Sequence, residues 1–536
     1  MEVDEAPAGV VETATRGETA GSNPMVAAAL VASAAIGLAA GEVAAALLNP
    51  ASSPLAAVGD TFIDLVPAWL KNIAVAVFGV FDKLALVIGM LLVLAGLFVA
   101  LARVIGAHPR VAIPVFAVLS MVAGVAATTR PGAGPLDWVP SVACLLTASA
   151  GWLLLQARLP RVDAGAQGAA DQDEQVLSQA PGRRGFLTIA AAVAGAAGLV
   201  GLTARIVGGR VGSRSPAPGE ADLPVPGVSA PAAPDGVDPA VDGLTPYRTA
   251  NQDFYRIDTA LVVPRVDPQT WRLRVFGEVE REVELSYDEL IGADLVQAWV
   301  TLTCVSNPVG GSLAGNATWT GLPIHQLLAR AGPAPGADMV LSRSVDGWTA
   351  STPLDVLTDP DRACLLAVAM NDKPLPAEHG YPVRMVVPGL YGYVSATKWV
   401  TELEVTRFSR RAAYWTTRGW SPQGPVKTAS RIDVPRPGAR VQAGEVVVAG
   451  VAWAQHRGIE AVEVQVDEGR WQPAELASTI GPDTWRQWTF RWRADPGRHR
   501  LRVRATDAAG VQQTGSTAAP APDGATGWHS VEIRVQ

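Results

Sequence analysis

The stretch TLTCVSNPVGG, Thr301–Gly311, sets a lone thiol, Cys304, where an alternating strand-like run gives way to a turn holding one Pro and two Gly. In such a run Cys304 shares its face with Leu302 and opposes Thr303. Gly310 and Gly311 allow backbone to approach a bulky group or to take a positive φ. Three chemistries suit this thiol. A buried, inert small hydrophobe is the commonest fate of a lone cysteine. A nucleophile would ask for a histidine partner. A soft-metal ligand would need a metal that brings its own further ligands, since one thiolate holds neither zinc nor copper.

The rest of the chemistry-bearing inventory is sparse. The 536 residues include three cysteines, Cys144, Cys304 and Cys364, with no CxxC pair. Zinc ribbons, iron–sulfur clusters, covalent haem and a disulfide framework are therefore not expected. The six histidines, at 108, 325, 379, 456, 499 and 529, all lie outside long apolar runs. A membrane haem b needs axial histidines within a span, so no haem is expected; no flavin signature is present either. The formal net charge is −7 without a basic block, which argues against nucleic acid as a partner.

Hydrophobic residues make up 49% and charged residues 17% of the chain, against roughly a quarter charged in ordinary soluble domains. The excess sits in discrete runs. After a polar tail, residues 1–24, apolar runs occupy Met25–Leu48, Leu84–Ala102, Val111–Thr128, Trp138–Leu155 and Phe186–Ala204, predicting a membrane domain of about five helices over 25–204. Gly195, Gly198 and Gly201 in the fifth suit close helix packing. Residues 60–81, with WLKNIAVAVFG, read as an amphipathic helix on the membrane surface. Arg103, Arg110, Arg158, Arg161, Arg183 and Arg184 mark two loops as cytoplasmic. The N-terminus is then inside and everything beyond Ala204 outside: a multi-pass cell-membrane protein with its downstream domains extracytoplasmic. GRRGFL, Gly182–Leu187, resembles a twin-arginine export signal; its plain reading is a positive-inside anchor at a helix end.

Residues 205–246 are dense in Pro, Gly and Ala and read as a semi-extended linker that moves the next domain off the membrane. From 247 to 424, short alternating runs mix with helices. LPIHQLLARAG ends at Gly332, and Ser286 with Glu289 forms a capping box, so α+β is expected. From 425 to 536, evenly spaced strands predict an all-β sandwich of immunoglobulin type, with Trp471, Trp485, Trp488 and Trp492 filling its core or an interface.

Residues 254–408 resemble the molybdenum-cofactor domain of the sulfite oxidase family. The resemblance rests on FYRIDTALVVP, LRVFGEVEREVELSYDEL, TLTCVSN, WTGLPIHQLL and MNDKPLPAEHGYPVRMVVPGLYGYVSATKWV, in that order. It implies that Cys304 is the protein thiolate on molybdenum, beside the pterin dithiolene. Arg384 and Lys398 would hold the pterin phosphate, one as a fork and one as a point charge. Backbone over Gly392–Ser395, with Gly392, Tyr393 and Ser395, would add donors. His379 would contact the pterin. Tyr255 and Arg256 would lie over the cofactor, with Arg256 the substrate-facing cation. The last 112 or so residues resemble the family's dimerisation domain, implying a homodimer.

The implied activity is two-electron oxygen-atom transfer on a sulfur-type substrate, either sulfite oxidation or S-oxide or N-oxide reduction. Two departures bear on it. Pro308 and Val309 stand where sulfite-oxidising members carry an arginine-containing motif, and Val368 and Ala369 stand where they have a tyrosine before Met370-Asn371. They point toward a neutral S-oxide, and also keep open a degenerate scaffold without redox activity. A separate electron partner, quinone or cytochrome-type, is implied. A transporter or sensor built on the spans finds only Glu42 as an intramembrane charge in its favour.

Overall fold

A computed structural model describes residues 24–67, 82–159, 191–201 and 223–536, together with 70, 78, 188 and 203. Among the described residues, four helical stretches are long and apolar enough to cross a membrane: Pro24–Leu47, Lys83–Ala107, Pro109–Thr128 and Val139–Gln156. Most of the flanks of the fifth expected run lie outside the described residues. Of the fifth run only a shorter apolar helix, Ala191–Gly201, falls among the described residues. Arg183 and Arg184 lie outside them, as does most of the surface helix expected over 60–81. Residues 60–65 close a capped helix, Pro54–Leu65.

The first span is the centre of the bundle, and small residues put it there. A Cβ on Gly37 would come within 2.7 Å of both Cys144 O and Ala148 Cβ of the fourth span, so only glycine permits this approach. Gly195 and Gly198 meet nothing within 4 Å, and of the three expected packing glycines only Gly201 abuts the first span, at Ala39. Asn49 donates to Asp137 at 3.1 Å and Arg130 to Ala51 O at 3.1 Å. The loop after the first span and the loop before the fourth are thereby joined at one end. Trp152 donates to Pro109 O at 3.1 Å and closes the other.

The second half of the expected linker is not a free spacer. Its extended backbone bonds to strand β3, Val296–Thr303: Gly227 N–H to Leu295 O just ahead of it, and the Trp299 indole to Pro231 O at 3.0 Å. Val237 and Tyr247 are buried in the same core as Trp299. Burial of those side chains outweighs the spacer character of the prolines and alanines, and the domain sits directly on the bundle.

One mixed and one antiparallel sheet, with short helices, form the central region. One orders β2 (Val283–Ser286), β1 (Arg272–Gly277), β10 (Val400–Thr406), β5 (Met339–Ser344) and β6 (Thr349–Pro353), with β1 parallel to β10. The other runs β3, β4 (Ala314–Pro323), β7 (Leu365–Met370) and β8 (Lys373–Pro374), with β9 (Arg384–Val386) also on β7. Ser286 and Glu289 form the capping box and Gly332 takes φ +66 after Ile324–Ala331.

Beyond 425, two further sheets enclose one core of Val448, Val462, Trp488, Val503 and Ile533, among others. The boundary at 425 is not a clean seam. Trp453 and Trp485 are buried in the core of the preceding region. Gln455 donates to Thr303 Oγ1 at 2.8 Å and to Thr301 O at 3.1 Å. Trp485 N–H reaches Thr301 Oγ1 at 2.8 Å.

Candidate functional site

Cys304 follows β3 directly, at the end of a strand buried along its second half. Its N–H bonds to Leu313 O at 2.9 Å, and its carbonyl accepts from Asn307 N–H at 3.1 Å. The Asn307 side chain then accepts from Leu313 N–H at 2.9 Å and fixes the loop. Gly310, with φ +75, does approach a bulky group, but that group is the His529 imidazole of the C-terminal region.

The two remaining thiols show what an inert site looks like. Cys144 lies in a span. Cys364 is 1% exposed, donates to Val356 O at 3.3 Å, and burial pushes it up to about 12. Cys304 is also raised by burial, but the N–H and hydroxyl of Ser306 and the Lys398 ammonium pull the other way. Lys398 puts a positive charge in its field, as Arg362 does for Cys364.

That field is built from the closing segment. Arg384, at the start of β9, is 4% exposed. Its guanidinium stacks on Trp319 at 4.9 Å and donates to His379 O at 3.1 Å. Among the described residues no carboxylate pairs with it. Burial draws it down to about 10. His379, 2% exposed, bonds through Nε2 to Asn251 O at 3.0 Å. A carbonyl partner requires the proton on Nε2. Burial and then Arg384 lower the imidazole to about 4, so the ring is neutral and Nδ1 is an acceptor. That buried Nδ1 has no partner. A buried acceptor without a donor and a buried guanidinium without an anion together suit a ligand carrying N–H donors and negative charge.

Tyr255 stacks on Phe254 at 5.2 Å, and Phe254 in turn meets Trp319 and His379 edge-on. Burial, then the Cys304 charge, raises the Tyr255 phenol, so it stays protonated as a donor. A Cβ on Gly392 would lie 4.0 Å from the Tyr255 hydroxyl and 3.9 Å from Thr303 O. Gly392 is therefore brought to the site. The side chains of Tyr393 and Ser395 turn elsewhere. Tyr393 Oη donates to Ser421 O at 2.8 Å on the far side, and Ser395 Oγ turns back to Tyr391 O at 3.0 Å. Of the expected N–H donors, Val394 and Ser395 are used within the turn, on Tyr391 O and Gly392 O. A 3-10 turn consumes its own amides, which the Gly-Tyr pattern conceals.

Arg256 and Lys398 meet on a carboxylate that sequence reasoning missed. Asp258 Oδ2 lies 3.0 Å from Arg256 Nε and 3.0 Å from Lys398 Nζ, and Oδ1 lies 2.8 Å from Lys83 Nζ. Its own burial would raise it. Lys398, Lys83 and Arg256 outweigh that and hold it well below the usual carboxylate range. Lys398 also donates to Glu378 O at 2.9 Å. Tyr391 was missed too: its phenol is pushed up to about 12 by burial, with Cys304 adding to the shift. No signal beyond spacing points to Asp258, and none to Lys83. No three His, Cys, Asp or Glu side chains converge among the described residues as a metal cage. A metal at Cys304 would have to bring its other ligands.

Comparison with known proteins bears on what that ligand is. Residues 260–415 match the family model described as "Oxidoreductase molybdopterin binding domain", a range that holds Cys304, His379, Arg384 and Lys398. The chain is 33% identical over 272 residues to mitochondrial sulfite oxidase of Mus musculus, covering 43% of this chain and 49% of that protein. It is 30% identical over 181 residues to the uncharacterized oxidoreductase YuiH of Bacillus subtilis (strain 168), covering 34% of this chain and 87% of that one. Among solved structures, sulfane dehydrogenase SoxCD from Paracoccus pantotrophus aligns with 55% of this chain and 82% of its own, at 22% identity and TM-score 0.48. The chain spans about half the length of the mitochondrial sulfite oxidases it matches.

Proposed function

We propose a function from one premise: the chain belongs to the sulfite oxidase family of molybdopterin-dependent oxidoreductases. It is a membrane-anchored oxidoreductase acting on a sulfur-type substrate, by sulfite oxidation or by S-oxide or N-oxide reduction, on the extracytoplasmic side. When bound, the molybdenum cofactor supplies two-electron oxygen-atom transfer. The chain supplies the surroundings. Cys304 offers the sulfur ligand. The Arg384 guanidinium, preset on Trp319, and the His379 Nδ1 acceptor hold the pterin and its phosphate. Tyr255, kept protonated by burial, would donate to the group, and Arg256 would face the substrate. Three cations around Asp258 favour an anionic substrate, against the neutral one suggested by Pro308 and Val368.

One observation carries this reading: Cys304 and Arg384 both act on the buried Tyr255 phenol, and Arg384 lies beside the unpartnered Nδ1 of His379. Metal analysis of purified full-length protein tests it, with about one molybdenum per chain expected. A screen of reduced-dye oxidation against sulfoxides and N-oxides, and of dye reduction by sulfite, then assigns direction. Protein from a cofactor-replete host that lacks molybdenum would leave the scaffold reading, which the residues after Asn307 and before Met370 favour.

Sidedness draws support from the bundle. The loop holding Pro131 and Gly132 meets Gly347 and Val345 of the catalytic region, while Arg110 and Arg158 belong to the opposite connections, as a positive-inside arrangement asks. Division at 247 and 425, an immunoglobulin-type C-terminal fold, a homodimer through it, twin-arginine export through Arg183 and Arg184, and a quinone or cytochrome-type electron partner complete the reading.

A further inference from the structure

The segment carrying Tyr255, whose phenol senses the Cys304 charge, is held at both ends, and the two anchors belong to different parts of the molecule. At its start Phe254 is 5% exposed, set between Trp319 and His379 in the catalytic core. Its end is held by the membrane domain. Lys83, at the head of the second span, donates to Asp258 Oδ1 at 2.8 Å and to Ala260 O at 2.6 Å. Asp60 accepts from Leu261 N–H at 3.2 Å and is itself paired with Arg130 at 2.7 Å. Leu261 packs on Gly59 so closely that a Cβ there would come 2.6 Å from its Cδ1. Between these anchors lie Tyr255 and Arg256. Asp258 receives Lys83 on one oxygen, and Arg256 and Lys398 on the other.

We infer that the membrane domain completes the active site: Lys83 and Asp60 latch residues 254–261 at the Cys304 site, and Lys83 is a positioning residue that sets Arg256 and Lys398 through Asp258. This rests on the function proposed above for the same site. The physical reason is geometric. A carboxylate has two oxygens, and occupation of Oδ1 by Lys83 leaves Oδ2 to orient the two site cations. Without Lys83 the carboxylate is free to rotate, and Arg256, 42% exposed, loses its fixed direction. The amides of 254–261 lose their tether at the same time. The span is then part of the substrate-binding apparatus as well as an anchor.

The test uses the full-length protein in detergent, with Lys83→Gln, Lys83→Arg and Asp60→Ala. Hydrogen exchange of the 254–261 amides reads the latch without any cofactor or turnover. Exchange at least about tenfold faster in Lys83→Gln and Asp60→Ala, and near the parent rate in Lys83→Arg, is expected. With sulfite as probe, KM should rise about tenfold in Lys83→Gln, with kcat and molybdenum content within about twofold of the parent, and Lys83→Arg should restore KM. Unchanged exchange in both Lys83→Gln and Asp60→Ala overturns the latch. Faster exchange with an unchanged KM overturns the positioning role and leaves a docking contact. A parent chain that binds no molybdenum defeats the proposed function, while the exchange result still decides the latch.

Discussion

Lys398 Nζ lies 3.0 Å from Asp258 Oδ2, with side chains 10% and 6% exposed. The pair joins two segments 140 residues apart in sequence. Burial drags Lys398 down to about 8, with Asp258 resisting and Arg384 assisting. The lysine therefore changes charge in an accessible pH range while remaining in place.

That shift predicts a pH dependence. As pH rises through about 8, Lys398 loses its proton and the site loses one positive charge. KM for an anionic substrate should rise by about tenfold above that value, equivalent to roughly 1.4 kcal/mol. Lys398→Arg, which keeps its charge, should flatten this limb. Steady-state KM for sulfite across the pH range checks both.

Asp258 predicts the opposite sense in stability. Its folded value lies below the ordinary 3.8, so its contribution is present in full above that value and lost as pH falls through the folded one. Asp258→Asn should cost about 3 kcal/mol at neutral pH, because two lysines lose a buried partner. The gap in unfolding temperature between parent and variant should narrow once pH falls below about 4.

The thiols separate by environment. Cys304→Ser should lower turnover by more than about a hundredfold, beyond the 10–100-fold typical of losing a supporting contact. It should also alter the electron paramagnetic resonance of molybdenum. Cys364→Ser keeps a donor to Val356 O and should leave turnover within about twofold.

Arg384→Lys should weaken cofactor retention about tenfold, because an ammonium cannot stack flat on Trp319 or present a fork. Molybdenum per chain after dialysis is the measure. His379→Phe should retain the ring packing on Phe254 yet lose the Nδ1 acceptor, and show a smaller loss in the same assay.

Gly310→Ala places a Cβ into the His529 ring at φ +75. A cost of about 1–3 kcal/mol follows, read as a lower unfolding temperature.

Much of this was legible from residue pattern. The apolar runs gave four helices long enough to span, the Ser286–Glu289 spacing gave a cap, and MNDKPLPAEHGYPVRMVVPGLYGYVSATKWV pointed to His379, Arg384 and Lys398, which the fold buries. What was not legible is physical in kind. Tyr393 and Ser395 sit in a turn whose hydrogen bonds close on themselves, and one-dimensional spacing does not reveal which way a 3-10 turn aims its side chains. Asp258 is an ordinary acidic residue until Lys83 and Lys398 are brought to it from either side. Val237 and Tyr247 make a Pro-rich spacer adhere to a core, an outcome decided by burial rather than by composition.

Gly310 against His529, and Thr303 under Gln455, carry an implication for the order of events during synthesis. The loop bearing Cys304 gains its final shape only when residues translated far later have docked, and loop-closure entropy delays such long-range contacts. A nascent chain halted before residue 455 would present a half-built cradle. The cradle around Cys304 is therefore complete only after translation has passed residue 529.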